Sequence, residues 1–177
     1  MESTALLRPG LLARCVVALG GGEALGPGLA ALGARTVALP GLLAEDEMTA
    51  CVEGAPDVLV HDLRPRFAGH GEDPLRATLD LAWVTIRAVA NAAFIPGERG
   101  GKIVLVAPPP APGEAAAVRA AAENLARTLS IEWARHAIRI VTLAPGATTT
   151  DSQLAALAAY LASPAGDYIS GCALALR

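Results

Sequence analysis

Five short apolar runs, separated by segments of helical length, place the strongest limit on what this chain can fold into. They cover residues 15–19, 36–39, 57–60, 102–106 and 138–143. Each carries apolar residues at consecutive positions, so each has two faces to bury. That is the signature of a parallel sheet covered on both sides by helices. The intervening segments supply those helices, with 74–95 and 114–136 the longest and 151–163 a third. Strands alternating with helices give an α/β, doubly wound parallel sheet. The 177 residues fit one domain spanning 1–177, and no internal repeat or linker interrupts it.

Composition excludes several classes. Hydrophobic residues make up 53% of the chain and charged residues 18%, which is too apolar for disorder. The excess is largely alanine, with 39 residues. No apolar run reaches the roughly 18 residues that a spanning helix needs. The first residues carry Glu2, Arg8 and Arg14 and lack a signal-peptide layout. A net charge of −3 gives no basic footprint for nucleic acid. Cys15, Cys51 and Cys172 are too scattered for a disulfide framework or a metal set. They are expected as reduced core thiols of a cytoplasmic protein.

Segment 114–136 is the best-defined helix. Val118, Leu125 and Leu129 recur at helical spacing, with Ala121 and Ala122 between them. Glu114 at its start and Arg135-His136 at its end complement the helix dipole. Ala115, Ala116, Ala117, Ala120 and Ala126 leave much of the circumference small. Alanine is also simply the best helix former. The proline cluster from Pro108 to Pro112 reads as a loop, because prolines offer no backbone N–H.

Gly20-Gly21-Gly22 ends the first run, and Gly26-Pro27-Gly28 opens a short helical segment. A glycine-rich turn between strand and helix is where a dinucleotide pyrophosphate would sit. Gly20, Gly22 and Gly26 are therefore candidate cofactor contacts. The G-x-G-x-x-G spacing fails, however, because Leu25 stands where the third glycine belongs. A turn that serves only the fold accounts for the glycines equally well. The second run ends in Pro40 rather than in an acidic residue for ribose hydroxyls.

The second half resembles a known family. Gly101-Lys102-Ile103-Val104-Leu105-Val106 and Arg119-Ala120-Ala121-Ala122-Glu123-Asn124 through Ala134 look like a short-chain dehydrogenase/reductase. Ile138 through Ala147, with its Pro145-Gly146 turn, and Leu161 through Gly171 continue the likeness. The first half matches more loosely. The resemblance implies a single Rossmann-like domain, NAD(P) as cofactor, and dimers or tetramers. It places Pro145, Gly146 and Thr148 near a nicotinamide end.

The departures from that pattern matter as much. The family's catalytic tyrosine and lysine fall on Ala115 and Arg119. Both tyrosines, Tyr160 and Tyr168, follow this helix, and the one lysine, Lys102, precedes it. The catalytic serine position carries Ala107 and three prolines, and the usual asparagine falls near Asp80. Asn-Asn-Ala-Gly reads His61-Asp62-Leu63-Arg64. The chain is also shorter than usual, with a strand–helix pair around 40–55 and the segment after Gly146 reduced.

Carbonyl reduction needs a proton donor, and alanine has none. Arg119 keeps a charge for a phosphate or ribose but does not replace a tyrosine. His61 and Asp62 form a candidate acid/base pair, although neighbours on a strand face opposite ways. A solvated loop histidine is the plainer reading of His61. His70 reads as part of a flexible loop and His136 as a helix C-terminal charge. No catalytic residue and no metal site is expected, and NAD(P) binding is expected to be weak or absent.

Three functions follow. The first is an inactive subunit that pairs, through helices 74–95 and 114–136, with an active short-chain dehydrogenase homologue in a heteromer. Ala122 and Ala126 would let the partner helix approach closely, with Trp133 near the rim. The second is a divergent oxidoreductase using His61, Asp62 or Arg119. The third is a nucleotide-binding regulator.

Overall fold

A computed structural model of the chain describes residues 7–41, 44–52, 54–68, 73–96 and 98–176. Six parallel strands form one sheet in the order β2-β1-β3-β4-β5-β6. They are β1 (Val16–Gly20), β2 (Arg35–Ala38), β3 (Val58–Asp62), β4 (Gly101–Val106), β5 (Ile138–Ala144) and β6 (Cys172–Ala175). The helices are α1 (Gly26–Ala31), α2 (Glu45–Ala50), α3 (Arg64–Ala68), α4 (Pro74–Val89), α5 (Glu114–Glu132) and α6 (Asp151–Ala162).

The doubly apolar strands divide their side chains between two cores, as the pleat requires. Leu59, Ile103, Leu105 and Ile140 pack with Ile86, Val118 and Leu129 of α4 and α5. Their neighbours Val58, Val60, Val104, Val106 and Val141 pack with Leu29 of α1 and Leu154 of α6. The sheet is thus covered on both faces, as the unbroken apolar runs predict.

Two helix starts are chemically specified. Asp73 caps α4 by accepting the Arg76 N–H, with Pro74 in the first turn. Thr150 and Gln153 form a capping box at α6. The helix expected over 74–95 ends in a π turn over Ala90–Phe94, which lays the Phe94 ring against Gly101. The one expected over 114–136 closes at Glu132; a 3-10 turn and Ala137 at φ 55° follow.

The structure corrects several expectations. The third strand runs on to Asp62, because His61 and Asp62 keep pairing with Leu105 and Val106. His61 is therefore a strand residue, 1% exposed, and not a solvated loop histidine. The strand–helix pair around 40–55 survives as α2 alone, which leaves β2 at the sheet edge. The three cysteines are half-buried rather than in the core. Burial, and secondarily Asp57, pushes the Cys15 thiol up to about 11. His70 lies outside the described residues.

The alanines of α5 divide between its faces. Ala115, Ala122 and Ala126 point into the chain's own core, while Ala116, Ala117 and Ala120 face outward. Ala122 and Ala126 are therefore not free to meet another protein, contrary to expectation. Trp133 is half-buried against the core at the end of α5. Among the described residues, no helix is long and apolar enough to cross a membrane.

Candidate functional site

The candidate residues gather at the C-terminal edge of the sheet, where open α/β sheets bind ligands. The first half of the site is the turn after β1. Gly21 (φ 76°) and Gly22 (φ 151°) take left-handed conformations that favour glycine. A Cβ on Gly20 would collide with the His61 imidazole, and one on Gly21 with the Asp62 carbonyl. One on Gly22 would come within 3.2 Å of Pro65 Cγ. These glycines make room for the corner between β3 and α3 of the same chain.

Two positions at the start of α1 offer no donor to an anion. The Gly26 N–H donates to the Glu23 carbonyl at 2.9 Å, and Pro27 has no N–H. No side chain caps this helix, and Pro40 follows the end of β2.

The corner after β3 carries a charged bridge. Asp62, 3% exposed, accepts the Arg64 backbone N–H at 3.0 Å and Nε at 2.9 Å on Oδ1. Its Oδ2 accepts Arg64 Nη2 at 2.7 Å. This is the fork-on-carboxylate geometry that makes arginine pairs strong. Arg64 Nη1 then reaches Asp151 Oδ1, in the first turn of α6, at 2.7 Å. Hydrogen bonding to Asp62, and then to Asp151, raises the guanidinium's proton affinity further despite partial burial.

The second half of the site is tied in the same way. Arg119, on which the resemblance places a lysine, donates Nη1 to the carbonyls of Pro108 at 2.6 Å and Pro145 at 2.9 Å. It joins the loop after β4 to the loop after β5. Gly146 N–H donates to Thr149 Oγ1 at 2.8 Å, and Thr148 is exposed on the same turn. Ala115, on which the resemblance places a tyrosine, is 3% exposed and packs inward.

His61 and Asp62 are not a working pair. The imidazole lies on the side of Gly20 and Thr85, while the carboxylate is held by Arg64. His61 Nδ1 is buried without a hydrogen-bond partner. Burial pulls its pKa down to about 4, so the ring is neutral near pH 7. Lys102 lies at the opposite end of β4, where its ammonium meets Asp167 and the carbonyls of Ala162 and Ser163. Among the described residues, no group of three or more His, Cys, Asp or Glu side chains is disposed to hold a metal.

Sequence reasoning missed Arg64. Its nearer partner is two positions away and detectable in principle, but Asp151 is 87 positions distant and carries no local signal.

Many solved structures share this architecture. A citronellol catabolism dehydrogenase of Pseudomonas aeruginosa superposes with a TM-score of 0.77 at 22% identity, covering 97% of this chain and 96% of that one. The fold is that of the short-chain dehydrogenases/reductases. A hydroxysteroid dehydrogenase from Escherichia coli gives 0.75 at 18% identity, over 95% of this chain and 98% of that one. A 3-oxoacyl-[acyl-carrier protein] reductase from Brucella melitensis, with bound NAD, gives 0.72 at 17% identity, over 98% and 93%. No family model matches the sequence, and no curated protein does.

The short-chain dehydrogenase fold raises the question of a dinucleotide, and several donors at this edge are engaged within the chain. Gly21 and Gly22 lie against the chain's own β3–α3 corner, and at the first turn of α1 the Gly26 N–H is engaged and Pro27 has none. Arg119, on α5, donates to two backbone carbonyls.

Proposed function

We propose that this chain is a catalytically inactive subunit of short-chain dehydrogenase fold. It pairs with an active homologous oxidoreductase in a cytoplasmic heteromer and stabilises it. The observation that carries this reading is the side chain of Arg119. At the lysine position of the active fold it is a loop clamp, and one turn before it stands the inward-packed Ala115. No proton donor for a carbonyl oxygen remains on that helix face.

The reading of a divergent enzyme draws no support from the remaining candidates. Asp62 is neutralised by Arg64, His61 is buried behind Gly20, and Arg119 is engaged. Weak or absent NAD(P) binding accompanies the inactive reading. The partner surface is the outward side of α4 and α5, where Trp83 is 40% and Ile131 74% exposed. Exposed apolar patches of this kind mark contact sites.

The test compares three preparations: the pure chain, an active short-chain dehydrogenase homologue from the same source, and the two co-expressed. The pure chain is expected to give no NAD(P)-dependent carbonyl reduction. The co-expressed pair is expected to co-purify, with the homologue melting at a higher temperature than alone. Robust turnover by the pure chain, undiminished in His61→Ala, would overturn the reading.

A further inference from the structure

We infer that the N-terminal edge of the sheet, opposite the candidate residues described above, carries a binding site for a small carboxylate. A cavity of about 250 Å³ opens there, walled by the starts of β4 and β5 and by the segments that precede β3 and β6. Its walls hold three cations, Arg99, Lys102 and Arg139, and two carboxylates, Asp57 and Asp167. Asp57 is paired with Arg99, and Asp167 with Lys102. Among the described residues, Arg139 bonds two carbonyls and no carboxylate. The cavity is therefore left with one positive charge, and that charge belongs to Arg139.

The bonds already made decide which groups have donors to offer. Lys102 Nζ meets Asp167 Oδ1 at 2.6 Å, the Ser163 carbonyl at 2.6 Å and the Ala162 carbonyl at 3.1 Å. An ammonium has three protons, so Lys102 supplies charge and no further donor. A guanidinium has five N–H donors, and here most are unspent. Arg99 uses Nη2 on Asp57 Oδ1 at 2.9 Å. Arg139 uses Nε on the Asp167 carbonyl and Nη1 on the Ala137 carbonyl at 3.4 Å, a long bond. Among the described residues, Arg99 Nε and Nη1 and Arg139 Nη2 have no acceptor. The same holds for the backbone N–H of Gly100, a buried residue in the cavity wall. Buried N–H groups without a partner are rare in folded chains. Gly100 also keeps its wall bare, because a Cβ there would come within 2.7 Å of the Ala137 carbonyl oxygen. Planar forks with unspent N–H groups match the two oxygens of a carboxylate. A dianion, such as sulfate or a phosphate ester, carries one charge more than the site balances. The inference rests on this cavity alone and is independent of any partner subunit.

NMR titration of the isotope-labelled full chain at about pH 6.5 tests it, read at the Gly100 amide and at the Nε–H signals of Arg99 and Arg139. The probes are sodium acetate and sodium butyrate, singly charged at that pH, and sodium sulfate, doubly charged. Each runs to about 50 mM, enough to fill a site of millimolar affinity, against sodium chloride at the same ionic strength. Acetate and butyrate are expected to shift the three signals saturably, and chloride is not. Arg139→Gln should weaken binding about tenfold, as the loss of one charged hydrogen bond does. If Arg139→Gln does not fold, Arg99→Gln replaces a half-exposed arginine and should weaken binding by a similar factor. Arg76→Gln removes the same charge from the exposed side of α4 and should bind like the wild type. Shifts no larger than those with chloride would overturn the inference, as would equal weakening in Arg76→Gln or unweakened binding in Arg139→Gln or Arg99→Gln. Tighter binding of sulfate than of acetate would overturn the assignment to a carboxylate.

Discussion

The imidazole of His61 occupies the space that a side chain on Gly20 would need. Gly20 pairs directly with His61 across β1 and β3, so the two residues specify each other. Thr85 of α4 closes the space behind. Gly20→Ala should therefore cost about 1–3 kcal/mol through overpacking. The backbone at Gly20 is not left-handed, so the penalty is one of space rather than of conformation. Denaturant unfolding of Gly20→Ala, His61→Ala and the double variant checks this. Most of the Gly20→Ala loss should disappear in the His61→Ala background.

Burial of that imidazole makes stability depend on pH. In the unfolded chain it titrates near 6.5, and in the fold near 4. Above about 6.5 both states are neutral and the full stability is present. As the pH falls from 6.5 toward 4, the unfolded state takes up a proton that the folded state does not, and stability is lost. The melting temperature of the wild type should therefore drop between pH 7 and pH 5, above the range where ordinary carboxylates titrate. His61→Leu should drop clearly less across the same interval. Parallel melting curves for the two proteins would show that His61 is not the group responsible.

The architecture is written in residues whose burial depends on a short period. Ile103 and Leu105 face one layer, and Val104 and Val106 the other. Any strand with apolar residues at successive positions must have both faces covered. That no Tyr-x-x-x-Lys occurs is equally plain, because it concerns residue identity alone. Side-chain destinations are another matter. His61 and Asp62 look polar enough for a loop, yet they continue a buried strand because Gly20 makes space and Arg64 supplies charge. Asp151 meets Arg64 only because β3 and α6 converge at the sheet edge. Ala122 and Ala126 lie on the core side, and Ala117 and Ala120 on the outside. A helix so rich in alanine has too little contrast between its faces to reveal this.

Arg119 joins two loops, and its replacement should register in stability. Its guanidinium satisfies two carbonyls on different loops. Hydrogen bonds involving a charged group are worth about 1.5–3 kcal/mol, so Arg119→Ala should destabilise by about 2 kcal/mol. Arg119→Lys should recover only part, because a point ammonium does not reproduce the planar fork. Restoring the active-fold pair with Ala115→Tyr and Arg119→Lys should not create a reductase. The tyrosine would enter a position that is 3% exposed and strain the core. Thermal melts and a carbonyl-reduction assay on the purified variants report both outcomes. Turnover by the double variant would show that the site lacks only its catalytic groups.

The two faces of α5 give the pairing proposal its sharpest test. Ala117, Ala120, Asn124, Thr128 and Ile131 recur at helical spacing and all are exposed. They carry little bulk until Ile131, so a partner helix can approach closely. Ala120→Arg places a long charged side chain in the middle of this stripe. On the isolated chain it should change stability by no more than about 0.5 kcal/mol, as surface substitutions do. In the complex it should separate the subunits, because the guanidinium would be buried without a counter-charge. Ala122→Trp, one turn-face away, should instead unfold the isolated chain, since Ala122 is 1% exposed. Size-exclusion chromatography with light scattering on the co-expressed pair separates the two effects. A complex that survives Ala120→Arg at full affinity, with residues 116–131 exchanging as fast as in the lone chain, would remove this face from the interface.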